Sequence, residues 1–276
     1  MTSPSPVHAP RDLGEQPWFV LNSSRYRVIN TRHPAISHFY ALDIATPSDL
    51  TFAVPDGCVD ILFDCDTSRP GAKLCGTPLK AQRVDLLHQH RYFGVRFRPG
   101  VIPGFAQNLA EDLAEQQIDL QDLLPNAQAM IECITREVQF DEQMALFNGF
   151  APASLARTTS ALTTLIIDKV LAHRGDIRIS QLEALSGYTE RTLQRQFRHD
   201  TGMTPKTFCR IIRCQAALSC ISNGFELSFS DLAQDLGFTD QSHFLRDFKQ
   251  LISTTPNDYQ RQLIKSAGRA RIDVTA

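Results

Sequence analysis

Two sets of polar side chains occur in matching stretches of the second half of this chain. Arg191, Gln194, Arg195 and Arg198 form one set; Gln241, Ser242, His243 and Arg246 form the other. Arg and Gln present forked donors and acceptors that match the edges of guanine and adenine in the major groove. The chemistry implied is therefore recognition of a duplex, with no bond made or broken. In each set two apolar residues lie at i and i+4, Leu193 and Phe197 in one and Phe244 and Phe248 in the other. They share the helix face that packs inward and leave the polar set outside.

The elements that must hold these faces are written twice. The first copy runs Ile179-Ser180-Gln181-Leu182-Glu183-Ala184-Leu185-Ser186-Gly187-Tyr188-Thr189, and the second runs Phe229-Ser230-Asp231-Leu232-Ala233-Gln234-Asp235-Leu236-Gly237-Phe238-Thr239. Self-similarity at a fixed period redefines the folding unit. Here the unit is helix, glycine turn, helix. Gly187 and Gly237 are expected to close the first helix, because glycine takes the left-handed conformation without steric cost. Thr189 and Thr239, two residues on, are expected to cap the second. That is a helix-turn-helix layout.

Further residues extend the pattern: Leu193-x-Arg195-x-Phe197, Gly202-x-Thr204-Pro205, Arg213-x2-Ala216-Ala217-Leu218, Gly237-Phe238-x-Asp240-x-Ser242-x-Phe244-x-Arg246-x-Phe248-Lys249 and Thr255-Pro256-x2-Tyr259. With the helix from Pro205 to Ser222 between the copies, residues 160–263 resemble the DNA-binding region of the AraC/XylS family of bacterial transcription regulators. The resemblance implies that each second helix enters a major groove while the connecting helix holds the two apart. It places Arg191, Gln194, Arg195, Gln241, Ser242, His243 and Arg246 at bases, and Thr189, Arg198, Lys206, Arg210, Thr239 and Lys249 at phosphates. It also implies double-stranded DNA and RNA polymerase as partners, with a small-molecule effector and a homodimer as further expectations. Two positions depart from the family. Glu183 stands where a small alanine is usual, and a carboxylate at a tight contact is costly unless it reaches solvent. Ser253 replaces the turn glycine that copy one keeps as Gly202.

Composition agrees with this division of labour. Residues 1–159 carry 13 Lys/Arg against 18 Asp/Glu, whereas residues 160–265 carry 13 against 11. From Gly187 to Arg213 there are six basic residues against Glu190 and Asp200. Such side chains supply most non-specific affinity for a phosphate backbone. At 276 residues and 42% hydrophobic content the chain suits two ordinary domains. Its apolar runs fall well short of the ~20 residues of a membrane span. The polar, proline-rich start is unlike a signal peptide, and seven irregularly spaced cysteines fit reduced thiols. The expected location is the cytoplasm.

The expected fold class is α+β: an N-terminal β-barrel or sandwich of cupin-like kind with flanking helices, then an all-α domain carrying both helix-turn-helix motifs. Residues 1–15 read as a disordered arm, 16–147 as a sensor or dimerisation domain, 148–158 as a linker, 159–265 as the DNA-binding domain and 266–276 as a frayed tail. Short apolar stretches mark the first domain: Trp18-Phe19-Val20-Leu21, Tyr26-Arg27-Val28-Ile29, Leu50 to Val54 and Val59 to Phe63. Pro55-Asp56-Gly57 between the last two predicts a tight hairpin turn. A helical period follows from Phe105, with a longer segment over residues 126–147 whose apolar side covers the β core or pairs with a second subunit.

Chemistry in this first domain has three candidates. Asp56, Asp60, Arg96 and Arg98, in segments that resemble a sub-group of the same regulators, would line an effector pocket, or else mark ordinary turns. His88-x-His90 on a strand would point two imidazoles to one face, but the glutamate of the cupin metal pattern does not follow, so no metal or other cofactor is assigned. Cys58, Cys65 and Cys75 have no Cys-x2-Cys spacing, and a redox role for Cys58 would need a depressed pKa. Hydrolase and kinase signatures are absent. Rival readings are a cupin-type enzyme tethered to a DNA-binding module, and a ligand-free structural DNA binder.

Overall fold

The structure is a computed structural model that describes residues 16, 23–44, 52–84, 86–87, 89–151, 155, 159–224, 228–266 and 271–275. The expected 1–15 arm, the Trp18 to Leu21 stretch and His88 lie outside the described residues.

The N-terminal half is built on a seven-stranded sheet in the order β8-β5-β4-β7-β2-β1-β9. The strands are β1 (Arg25–Asn30), β2 (Ile36–Asp43), β4 (Asp60–Asp64), β5 (Gly71–Cys75), β7 (Arg91–Phe97), β8 (Gln117–Asp119) and β9 (Arg271–Thr275). Two further short strands, β3 (Phe52–Ala53) and β6 (Gln82–Arg83), pair with each other. Alternation along the central strands sends Phe39, Ile61, Phe63, Phe93 and Val95 to one face, where they form the main core. Burying each such side chain contributes roughly 1.5–3 kcal/mol.

Pro55-Asp56-Gly57 does not close a hairpin. β3 pairs with β6, and β4 pairs with β5 and β7, so the turn carries the chain from one sheet to the other. Gly57 takes φ +75°, as such a turn requires. The strand expected to include His88 and His90 starts only at Arg91, because Gln89 has φ 66° and breaks the extension.

The expected helix over 126–147 is two helices, α2 (Ala127–Arg136) and α3 (Phe140–Phe150), following the short α1 (Ala110–Leu113). Side chains make the break self-consistent. The Glu137 carboxylate accepts from the Val138 and Gln139 N–H groups at 2.6 and 2.7 Å, while the buried Gln143 amide donates to the Ile134 and Glu137 carbonyls at 3.0 and 3.2 Å. These bonds hold the connection between the two helices and satisfy the Ile134 carbonyl at the end of the first. Met130, Ile131, Ile134, Phe140 and Phe147 belong to the main core. Their stripe thus covers the molecule's own sheet.

Among the described residues the second half is helical from α4 (Ala161–Ala172) to α10 (Pro256–Ser266), with α5 (Ile179–Ser186), α6 (Glu190–Thr201), α7 (Pro205–Ser222), α8 (Phe229–Asp235) and α9 (Gln241–Ile252) between. The tail expected to fray instead lays β9 parallel to β1 at the sheet edge. No helix of the described residues is long and apolar enough to cross a membrane.

The halves dock directly. Val54 is completely buried in the core of the second helix-turn-helix. The Gln215 amide of α7 donates to the Pro55 carbonyl at 2.8 Å, and Gln107 donates to the Asp200 carbonyl at the end of α6 at 3.1 Å.

Candidate nucleic-acid interface

The first unit is α5, a turn and α6. Gly187 ends α5 at φ 74°, the left-handed value expected. Thr189 occupies the cap position of α6 but makes no capping bond. Its place is taken by Glu183, whose carboxylate accepts from the Glu190 N–H at 2.6 Å. The departure at this position therefore carries its own compensation: the charge lies against the positive end of α6. Leu193 and Phe197 are fully buried, among Leu182, Met203 and Phe208. Arg191, Gln194, Arg195 and Arg198 are exposed on the opposite side. Gln194 rests its amide on Glu190 at 2.8 Å.

The second unit is α8, the Gly237 turn and α9. Here Asp240, and not Thr239, is the cap: its carboxylate accepts from the His243 N–H at 2.7 Å. Asp is the stronger acceptor for this position. Phe244 and Phe248 pack in a chain of rings with Phe229, Phe238 and Tyr259. Gln241, Ser242 and Arg246 are exposed, and His243 is half-buried, edge-on to Phe238 and 3.6 Å from Asp247. Ser253 ends α9 at φ 69°, essentially the angle of Gly202 at the end of α6, φ 74°. The turn geometry survives the loss of glycine.

Of the residues expected at phosphates, Thr189, Arg198, Lys206, Thr239 and Lys249 are exposed. Arg210 is different. It is half-buried and donates from Nε to Asp247 at 3.0 Å and from Nη2 to Gln250, fastening α9 to α7.

The expected pocket residues separate. Asp60 takes a bidentate pair from Arg96, Nε to Oδ1 at 2.9 Å and Nη2 to Oδ2 at 2.8 Å, and Asp56 takes Nη1 at 2.8 Å. With Gln16, Tyr40 and Cys75 these three groups line a cavity of about 60 Å³ between the two sheets. Arg98 is not among them. β7 ends at Phe97, so alternation no longer governs Arg98, and its guanidinium bonds the His33 and Thr31 carbonyls at 3.3 and 3.4 Å. Burial raises the Asp56 carboxyl above its usual range against the pull of Arg96. Burial also pushes the nearby His38 down to about 3, with Arg96 adding to the effect, so this imidazole is neutral. The Cys75 thiol is pushed up by burial to about 12, the opposite of an activated thiolate. His90 pairs with Asp64 at 2.8 Å, and no group of three metal-binding side chains occurs among the described residues.

Sequence reasoning missed Gln16 and Gln215, which tie this region together. Gln16 brackets Val54 and donates to Asp56 at 2.8 Å, and Gln215 holds Pro55. No local period marks either residue.

Two family models match the chain, one described as a helix-turn-helix domain over residues 182–262 and one as a domain of unknown function (DUF6597) over residues 33–119. Among curated proteins the chain is 38% identical over 78 residues to the HTH-type transcriptional activator RhaR of Yersinia pseudotuberculosis, which covers 28% of this chain and 26% of that protein. It is 39% identical over 75 residues to the HTH-type transcriptional activator RhaS of Yersinia pestis, covering 26% of each. The chain thus spans about a quarter of the length of these relatives. Among solved structures, ToxT from Vibrio cholerae superposes at a TM-score of 0.40 with 13% identity, covering 87% of this chain and 96% of that one.

Proposed function

We propose that this chain, a member of the AraC/XylS family by its doubled motif and its helix-turn-helix match, is a sequence-specific DNA-binding transcription regulator that reads two successive major grooves. The observation that carries this is the same partition in both copies: Phe and Leu sealed inward, Arg191, Gln194 and Arg195 or Gln241, Ser242 and Arg246 exposed, and both units held on α7. A duplex offers each of the two outward-facing cationic and amide surfaces a groove one helical turn, about 34 Å, from the next. Arg195 and Arg191 would take guanine edges and Gln194 an adenine edge, while Arg198, Lys206 and Lys249 would neutralise phosphates.

The N-terminal domain is the sensing part in this reading, with the cavity around Asp56, Asp60 and Arg96 as the effector site. Support comes from continuity: Asp56 belongs both to the cavity and to the turn whose Pro55 carbonyl is held by α7. Contact with RNA polymerase, and pairing with a second copy on DNA, complete the proposal.

Selection of bound duplexes from a random library tests it. The expected result is a consensus of two boxes about one turn apart, with affinity that falls as salt rises. Enrichment of no sequence, or of a single box only, would defeat the two-groove reading.

A further inference from the structure

The joint between the two units is built on one side chain. Arg213 projects from α7, and its Nη2 donates to the Gly175 carbonyl at 2.9 Å, in the turn that leads into the first helix-turn-helix. Its Nη1 donates to the Gly237 carbonyl at 3.0 Å, in the turn of the second. The guanidinium lies over the Phe238 ring at 5.2 Å and within 3.8 Å of Asp176. The remaining nitrogen, Nε, is buried without a hydrogen-bond partner. The group forgoes that bond while holding both carbonyls, so the two turns determine where it sits.

Both turns place glycine in the left-handed region, φ 83° at Gly175 and 71° at Gly237, where another residue would be strained. A Cβ on Gly237 would lie 2.1 Å from the Asp176 carboxyl carbon, and one on Gly175 would lie 2.4 Å from the Cys209 carbonyl. Asp176, from the first unit's approach, thus rests directly on the second unit's turn. We infer that Arg213 is a positioning residue for DNA recognition, a clamp that fixes the angle between the two reading helices and so the box spacing the protein accepts. Its side chain is only 18% exposed and bonds protein carbonyls, so it acts through α6 and α9 and touches no base itself.

The consequence is geometric. Moving one box by a single base pair turns its face by about 35° and shifts it by about 3.4 Å. A rigid joint cannot follow both changes; a loosened one can, at the cost of the effective concentration that a fixed joint gives the second unit. This inference rests on the two-groove reading, and its test separates the two. Binding is measured for the full-length protein and for Arg213→Met and Arg213→Lys on duplexes carrying both selected boxes at the selected spacing, at that spacing plus or minus one base pair, and on each box alone.

For the unaltered protein, a shift of one base pair should weaken binding about tenfold or more. Arg213→Met should bind each single box within about twofold of the parent, lose about tenfold at the selected spacing, and show a penalty under about threefold for the shift. Arg213→Lys should behave like Arg213→Met, since one ammonium lacks the fork that spans two carbonyls. The clamp is wrong if Arg213→Met keeps the parent's spacing penalty, if its single-box affinities collapse with the rest, or if Arg213→Lys matches the parent. If the unaltered protein itself shows no two-box binding, the DNA reading has failed first and takes the clamp with it.

Discussion

The two helix-turn-helix units share a plan and differ in almost every means of executing it. In the first, the inner face is mostly aliphatic, the reading helix is capped by a carboxylate from the preceding helix, and the closing turn is glycine. In the second, the inner face is a chain of tilted and edge-on rings, the cap is Asp240 in its own sequence, and the closing turn is a serine forced to the same left-handed angle. Backbone geometry is what the plan requires, and several side-chain solutions deliver it. The outer faces differ too. Arg191, Arg195, Arg198 and Lys206 are exposed on the first unit, against Arg246 and Lys249 on the second. In the proposed reading the first unit relies more on charge, and the second more on amide and hydroxyl contacts.

The largest way to break this equivalence lies in the closing turns. Gly202→Ser should destabilise the protein by about 3 kcal/mol, combining left-handed strain with a forced shift of backbone. The clash is with the Ala110 carbonyl, 2.2 Å from the added Cβ. Thermal denaturation checks this, and a change under about 1 kcal/mol would show that α1 yields easily. Next in size, Arg195→Ala should cost about 1–3 kcal/mol of binding and relax one base in one box. Arg246→Ala should relax a position in the other box and leave the first intact. Repeating the selection with each variant decides it, and unchanged consensus sequences would remove both residues from base reading.

Salt sharpens the charge contrast. With Arg198 and Lys206 at phosphates against Lys249 alone, the first unit's box should show a log K against log salt slope steeper by about 0.9 than the second unit's box. Equal slopes on isolated boxes would mean that the extra cation does not reach a phosphate. Smaller still, Glu183→Ala removes the acceptor of the Glu190 N–H and should cost about 1 kcal/mol. A rise in Tm would show instead that the smaller side chain outweighs the cap. The smallest effect should be a gain: Ser253→Gly relieves the left-handed strain but adds freedom to the unfolded chain, leaving about 0.5–1 kcal/mol of stabilisation. A neutral or negative result would place the strain elsewhere.

Much of the second half was legible because its signals are local. Gly187 and Gly237 sit in left-handed turns as their position demands, and Leu193, Phe197, Phe244 and Phe248 are buried as their spacing demands. The errors arose where a residue's partner was distant or its neighbour competed. Thr239 yielded the cap to Asp240, one residue on, which is the better acceptor. Pro55-Asp56-Gly57 has the composition of a hairpin turn, yet β3 and β4 found different partners, a choice made by strands far along the chain. Asp56 and Asp60 both pair with Arg96, whereas Arg98, two residues from Arg96, lies past the end of the strand whose alternation would have aligned it.

Taken alone, the order of residues determined the doubled unit, the inward and outward faces of α6 and α9, and the break between a β half and a helical half. Each depends on interactions within about one helical turn or along one strand, which periodicity records directly. Only the tertiary structure decided how the two units are joined and what the N-terminal turn rests on. Arg213 reaches carbonyls 38 and 24 residues away, and Arg96 meets a carboxylate 36 residues away. Such pairings are selected by the packing of whole elements, and no repeat in the chain encodes them.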